Sequence, residues 1–173
     1  MHVNQHKWLR DVKRQYPAHF EDAFVLEIGS RNWSGEALSP RRYFRDGAYL
    51  GVDRMPGSGV DLSPEASHRL LQDNAFDTLV ALSVYEHEPR WRHVFTRNGD
   101  FLRPGGLAIV SFGAEGNQHH DPEPWSPVPH DDFLILARAN GFSVLDSFFE
   151  EDRYGKECAG CYNVLLRKSM ETP

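Results

Sequence analysis

Residues 24–35 read FVLEIGSRNWSG, a short apolar run stopped by a glycine and continued by a polar loop. Phe24–Ile28 has the length and content of a buried strand, with Glu27 its single charge, and Gly29 supplies the tight turn that leaves it. Three further runs have the same character: Ala48–Val52 (AYLGV), ending at Asp53, Phe76–Leu82 (FDTLVAL) and Leu107–Phe112 (LAIVSF). Helix-length segments separate them at Gly35–Phe44, Pro64–Leu71 and Pro89–Leu102. Strands alternating with helices point to an α/β domain with a parallel sheet and crossover helices. Val3–Tyr16 reads as a leading helix with Trp8, Leu9 and Val12 on one face, closed before Pro17, and Asp131–Asn140 as another, ended by Gly141. The tail differs. Phe142–Glu150 and Tyr162–Arg167 are strand-like with no helix-length segment between them, the signature of a closing antiparallel pair.

The chain has 173 residues, which suits one domain, with a leading helix in 1–23 and a core over 24–168. With 19 Lys+Arg against 25 Asp+Glu, its formal charge of −6 provides no general field for phosphates, so nucleic acid is an unlikely partner. No apolar run reaches the ~18–20 residues of a membrane span, and Met1–Arg10 is too polar for a signal peptide. Two cysteines do not make a disulfide framework. The expectation is a soluble, cytoplasmic protein.

Open sheets of this kind bind ligands beyond the carboxyl ends of their strands, so the turn at Gly29 is the first place to look. A dinucleotide fingerprint needs glycines at 29, 31 and 34, whereas Arg31 and Ser34 stand here and Glu27 adds negative charge. A nicotinamide or flavin cofactor is therefore disfavoured. The segment instead resembles the first motif of class I S-adenosylmethionine-dependent methyltransferases, and the later landmarks keep that family's order. YLGVD (49–53) resembles its second strand with a terminal acid, FDTLVALSVYEH (76–87) its fourth-strand motif, and LRPGGLAIVS (102–111) its turn into the fifth strand. PGSGVD (56–61) looks like a small-protein branch, and Ser30, Arg31 and Asn32 depart from the usual glycine-rich loop.

The resemblance implies a Rossmann-like, mostly parallel seven-stranded sheet, with S-adenosylmethionine as methyl donor. Asp53 would accept hydrogen bonds from the ribose hydroxyls, with Arg54 beside it. Glu27 would meet the methionine ammonium, and Gly29 and Ser30 would lie along the methionine portion. Glu65 and Ala66 would border adenine, although an acid at a helix start explains Glu65 equally well. Ser83, leaving the fourth-strand motif, would face the methionine portion.

A sulfonium donor needs an acceptor held in line and, for a hydroxyl acceptor, a base. Glu86-His87 resembles the family's Glu-His pair and makes His87 one base candidate. The segment 113–132 (GAEGNQHHDPEPWSPVPHDD) is far longer than a typical connection, and its four prolines oppose regular structure. It offers His119, His120, Asp121 and His130, with Trp125 as an apolar wall, and His119 and His120 join His87 as base candidates. No ligand spacing supports a metal there. Cys158-Ala-Gly-Cys161 reads as turn residues rather than half a zinc site, and Arg41, Arg42 and Arg45 as a solvated basic face. The expected reaction is methylation of a small-molecule or sugar-like acceptor, at oxygen. The rivals are a non-catalytic donor-binding or partner-regulating module and a macromolecular acceptor; a homodimer or partner subunit remains open.

Overall fold

The computed structural model describes residues 3–32, 39–114, 127–151 and 160–170. Helix α1 spans Val3–Gln15, and β1, Val25–Ile28, and β2, Tyr49–Val52, follow it. Then come α2 (Pro64–Leu70), β3 (Phe76–Leu82), α3 (Trp91–Asp100), β4 (Leu102–Gly113), α4 (His130–Ala139), β5 (Phe142–Glu150) and β6 (Cys161–Lys168). The strands form a six-stranded sheet in the order β2-β1-β3-β4-β6-β5. Strands β1 to β4 run parallel, while β6 is antiparallel to β4 and to β5. The parallel sheet closed by an antiparallel pair is as the sequence suggested.

The expected seventh strand is absent among the described residues. After β2 the chain meets the sheet again in one bridge, Val52 to Leu62. The reason lies in residues 54–62, where Asp61, not a strand backbone, receives the Gly51 N–H at 2.7 Å through its carboxylate. Asp61 and Leu62 return their own N–H groups to the Gly51 carbonyl. A short, glycine-rich loop thus satisfies the outer edge of β2. A second correction concerns Gly35–Phe44, expected as a helix. Its described part is a 3₁₀ turn, Pro40–Tyr43, begun by Ser39 and Pro40; residues 33–38 lie outside the described set. Strand β4 begins at Leu102, five residues before the apolar run, because the RPGG turn carries it into the sheet with Gly105 at φ 78°.

Each sheet face buries its own cluster. Val25, Val80, Leu107, Ile109 and Leu165 pack under Trp8, Leu9 and Val12 of α1. Leu26, Ile28, Leu79, Ala81, Ala108 and Val110 pack under Trp91 and Phe95 of α3 and Phe133 and Ala137 of α4. The alternation along β1 follows from the strand period of two: Val25 and Leu26 join opposite clusters. Burying side chains of this size contributes about 1.5–3 kcal/mol each, so a polar group on either face needs compensation. Local signals set the helix ends. Ser63 caps α2 by accepting the Ala66 N–H, Pro64 fills its first position, and Asp131 and Asp132 oppose the dipole at the start of α4.

Gly51 holds the β2 edge and its covering loop together. A Cβ there would run into the Gly59 carbonyl and the Ser30 hydroxyl, both of which belong to turns that cannot retreat. Gly51→Ala should therefore cost about 1–3 kcal/mol of unfolding free energy in urea titration. A loss below about 0.5 kcal/mol, the range of an ordinary surface change, would show that the loop is not packed on β2 as described.

Candidate functional site

Strand β1 lies between β2 and β3, so the chain leaves its carboxyl end toward one side and returns on the other. Such a switch point opens a crevice at the strand ends. Gly29 turns the chain out of β1 at φ 75°, and a side chain there would collide with Val84, which follows β3. Ser83 also has a left-handed backbone, φ 57°. The two turns thus close on one another across the β1–β3 seam.

The N–H groups of the first turn all have protein acceptors. Gly29 and Ser30 donate to the Val52 carbonyl at 2.8 and 3.2 Å, and Asn32 to the Ser58 carbonyl at 3.0 Å. Arg31 N donates to Asp53 Oδ2 at 3.0 Å. A pyrophosphate cradle needs such groups pointing at the ligand, so residues 29–32, the described part of this turn, do not form a phosphate nest. Asp53 is held by two backbone donors, Arg31 N and Met55 N, the latter on Oδ1 at 2.8 Å. Each carboxylate oxygen keeps further acceptor capacity, and Asp53 is half-buried. The result is a rigid acceptor at the end of β2, complementary to a pair of hydroxyls.

Glu27 is buried in β1 and accepts a hydrogen bond from the Tyr49 hydroxyl at 2.9 Å. Burial pushes its carboxyl from 4.5 to about 7, against the opposing pull of the Tyr49 bond and the Arg41 charge. Arg41 itself is held by Asp61 and by the Tyr49 carbonyl, at 3.0 and 2.8 Å. Two of the three expected surface arginines are therefore less free than their sequence implied, since Arg42 lies over the Tyr43 ring. Ser30 Oγ is buried with no hydrogen-bond partner among the described residues. On the far side of the seam, Gln5 of α1 reaches both Ser83 Oγ and Ser111 Oγ.

The expected donor residues Glu27, Gly29, Ser30, Asp53 and Ser83 are brought together at these strand ends. Arg54 is exposed next to Asp53. Glu65 is exposed in the first turn of α2, where its own N–H and Ser63 lower its carboxyl pKa, and Ala66 is half-buried beside it. His87 ends the 3₁₀ turn Tyr85–His87 after β3 and is half-buried. His119, His120, Asp121 and Trp125 lie outside the described residues, as does Cys158. His130 starts α4, where it bonds Ser147 Oγ at 2.7 Å and stacks on Tyr162. Cys161 opens β6 and is buried, not a turn residue. Among the described residues no group of three His, Cys, Asp or Glu is placed to hold a metal ion.

Four contributors were not singled out by sequence. Tyr49 and Ser111 have no distinguishing pattern. Gln5 does: it occupies the helical position that precedes Trp8, Leu9 and Val12 on the buried face. Glu86 was read as the companion of His87, yet it is the more deeply buried of the pair. It is fully buried, accepts the Gly113 N–H at 3.0 Å through Oε1, and leaves Oε2 without a partner. Burial raises its carboxyl to about 7.

No protein-family model and no curated protein matches this sequence. Solved structures do match. A Burkholderia thailandensis 1,6-didemethyltoxoflavin N1-methyltransferase with bound 1,6-didemethyltoxoflavin and S-adenosylhomocysteine superposes with TM-score 0.69 at 19% identity, over 93% of this chain and 78% of that one. A Synechocystis magnesium protoporphyrin IX methyltransferase with bound S-adenosylmethionine gives 0.67 at 15% identity, over 96% and 81%. A chain from the complex of the Haloferax volcanii Trm112 methyltransferase activator gives 0.66 at 14% identity, over 96% of each chain. The fold is that of these methyltransferase structures, two of which hold S-adenosylmethionine or S-adenosylhomocysteine, with six strands among the described residues against the seven expected.

The two buried carboxyls make stability pH-dependent. Glu27 and Glu86 hold protons in the folded state up to about pH 7, whereas the unfolded chain releases them near 4.5. The folded state binds the extra protons between these values, so stability falls as pH rises from 5 to 8. Glu86→Gln keeps an oxygen for the Gly113 N–H and removes the charge. In urea titrations at pH 5 and 8, this variant should lose about 1–3 kcal/mol less than the wild type between the two conditions. Parallel pH profiles would mean that Glu86 is ionised at little cost.

Proposed function

We propose that this chain, which has the class I S-adenosylmethionine-dependent methyltransferase fold, binds S-adenosylmethionine at the ends of β1, β2 and β3 and methylates a small-molecule acceptor at oxygen. The observation that carries the donor assignment is the state of the first turn. Its N–H groups are engaged by Val52, Asp53 and Ser58, while Asp53 offers acceptors. That pattern is wrong for a diphosphate and right for a ribose. The orphaned Ser30 hydroxyl and the buried Glu27 carboxyl add polar groups beside it that suit an amino-acid moiety. The solved relatives that carry this donor or its demethylated product support the same assignment.

In this reading Asp53 holds the ribose hydroxyls and Glu27 the methionine ammonium. Gly29 and Ser30 line the methionine portion with Ser83, while Arg54, Glu65 and Ala66 flank the ribose and adenine. When bound, the donor supplies a methyl group already activated on a sulfonium. The chain's task is then to align the acceptor and to take its proton. His87, on the turn after β3, is the base that the described residues offer, with His119 and His120 as the other two proposed. A small-molecule acceptor fits a chain of charge −6, which provides no general field for phosphates. No helix among the described residues is long and apolar enough to cross a membrane. The Haloferax relative, from a complex with an activator, supports a second reading in which a partner subunit completes the site.

Calorimetry tests the donor assignment. The chain should bind S-adenosylmethionine and S-adenosylhomocysteine, and Asp53→Ala should weaken both by about tenfold or more, from loss of ~1.5–3 kcal/mol of charged hydrogen bonding. Tighter binding of NADH than of either would reverse the assignment. Glu27 adds a proton signature. An ammonium beside it favours the carboxylate, so binding at pH 6.5 should release a proton and affinity should rise with pH through about 7. Heats measured in buffers of different ionisation enthalpy will show the release, and Glu27→Gln should abolish it.

Base catalysis has its own test. With an acceptor identified by screening with labelled donor, His87→Ala should lower kcat by about 10²–10⁴-fold and leave donor affinity unchanged. Unaltered kcat would remove His87 from the chemistry.

A further inference from the structure

Gln5 lies on the buried face of α1, where Trp8, Leu9 and Val12 pack onto Val80, Leu107 and Ile109. It is fully buried, and an amide in such a place costs stability unless its hydrogen bonds are made. Its Nε2 donates to Ser111 Oγ at 2.6 Å and to Ser83 Oγ at 3.3 Å. Ser111 is fully buried in β4, and its carbonyl accepts the Ser83 N–H at 2.9 Å. Ser83 is half-buried and held in a left-handed backbone that a serine rarely adopts. One amide therefore ties α1 to the ends of two adjacent strands.

We propose that Gln5 is a positioning residue that orients the Ser83 hydroxyl to donate to the carboxylate of the methyl donor. The inference rests on the donor reading above. A serine hydroxyl has one proton, and an oxygen that accepts from an amide turns that proton elsewhere. With Gln5 donating, the Ser83 proton faces away from α1, on the strand-end side of the residue. The N–H groups of residues 29–32 are already engaged there, so they cannot serve a carboxylate without breaking the turn. A carboxylate is a pure acceptor, and a hydroxyl whose proton is held in place is its complement. Placing the amide on α1 also explains why a polar side chain occupies this helical position: the helix contributes a group that sets the proton of another residue.

The test compares S-adenosylmethionine with decarboxylated S-adenosylmethionine, which keeps the sulfonium and lacks the carboxylate. Gln5→Met preserves the length of the side chain and removes the donor. Its affinity for S-adenosylmethionine should fall about three- to tenfold, as for one hydrogen bond, while that for the decarboxylated compound changes less than about twofold. Ser83→Ala, which leaves the Gln5–Ser111 bond in place, should show the same selective loss and serves if Gln5→Met does not fold. Equal losses for both ligands would reduce Gln5 to a structural role and overturn the proposal. Unchanged affinity for S-adenosylmethionine in both variants would overturn it as well. If the wild type binds neither compound, the donor reading fails, and this inference with it.

Discussion

The hydrogen bonds from Gly29 and Ser30 to the single Val52 carbonyl set the geometry on which the rest of the site depends. They hold the first turn flat against the end of β2, which lets Arg31 N reach Asp53 and Asn32 N reach the loop that covers the sheet edge. The turn can approach so closely because Gly29 tolerates a positive φ and leaves room for Val84. Once this turn is fixed, its backbone is closed to anions and the side-chain carboxylate of Asp53 becomes the outward-facing acceptor. In residues 29–32 the backbone donors are spent within the protein, and what the turn presents outward is an acceptor.

The same compactness explains the buried acids. Residues 54–62 cover the β2 edge with no outer strand among the described residues, Glu27 is removed from water within β1 and Glu86 beneath the end of β4. Among the described residues neither is paired with a basic side chain at hydrogen-bond distance. Glu27 has a tyrosine hydroxyl and Glu86 a backbone N–H. Burial dominates both, and both titrate near neutrality. Such groups cost stability, which is tolerated where charge is useful. Glu27 lies beside the turn at Gly29, whereas Glu86 accepts the Gly113 N–H at the end of β4, where the long 113–132 segment begins.

Much of the fold was legible because each strand and helix carries its own period. The apolar runs at 25–28, 76–82 and 107–112 are buried on both faces, while 49–52 at the sheet edge is buried only at Gly51 and Val52; continuous hydrophobicity marks all four without any tertiary information. The lost seventh strand was not legible. Whether residues 54–62 form a strand or a loop is decided by Asp61 finding the Gly51 N–H, a contact between residues that no local pattern links. The position of Glu27 and Asp53 at adjoining strand ends was legible, since a chain leaving a parallel strand carries its next residues to the crevice. Gln5, Tyr49 and Ser111 were not, because their meaning lies in partners 22 to 106 residues away.

By itself, then, the sequence determined the order of elements, the switch point and the charge character of the first turn, all of which follow from residue type and spacing along the chain. Arg31 and Ser34 by themselves exclude a diphosphate fingerprint, because glycine at those places is a local requirement of backbone approach. Tertiary structure decided which groups are desolvated and which protons they hold. The same Glu-His dipeptide yields a half-buried histidine and a fully buried acid only once Gly113 closes over Glu86. Solvation and hydrogen-bond direction depend on what three dimensions bring alongside, and composition carries no record of that.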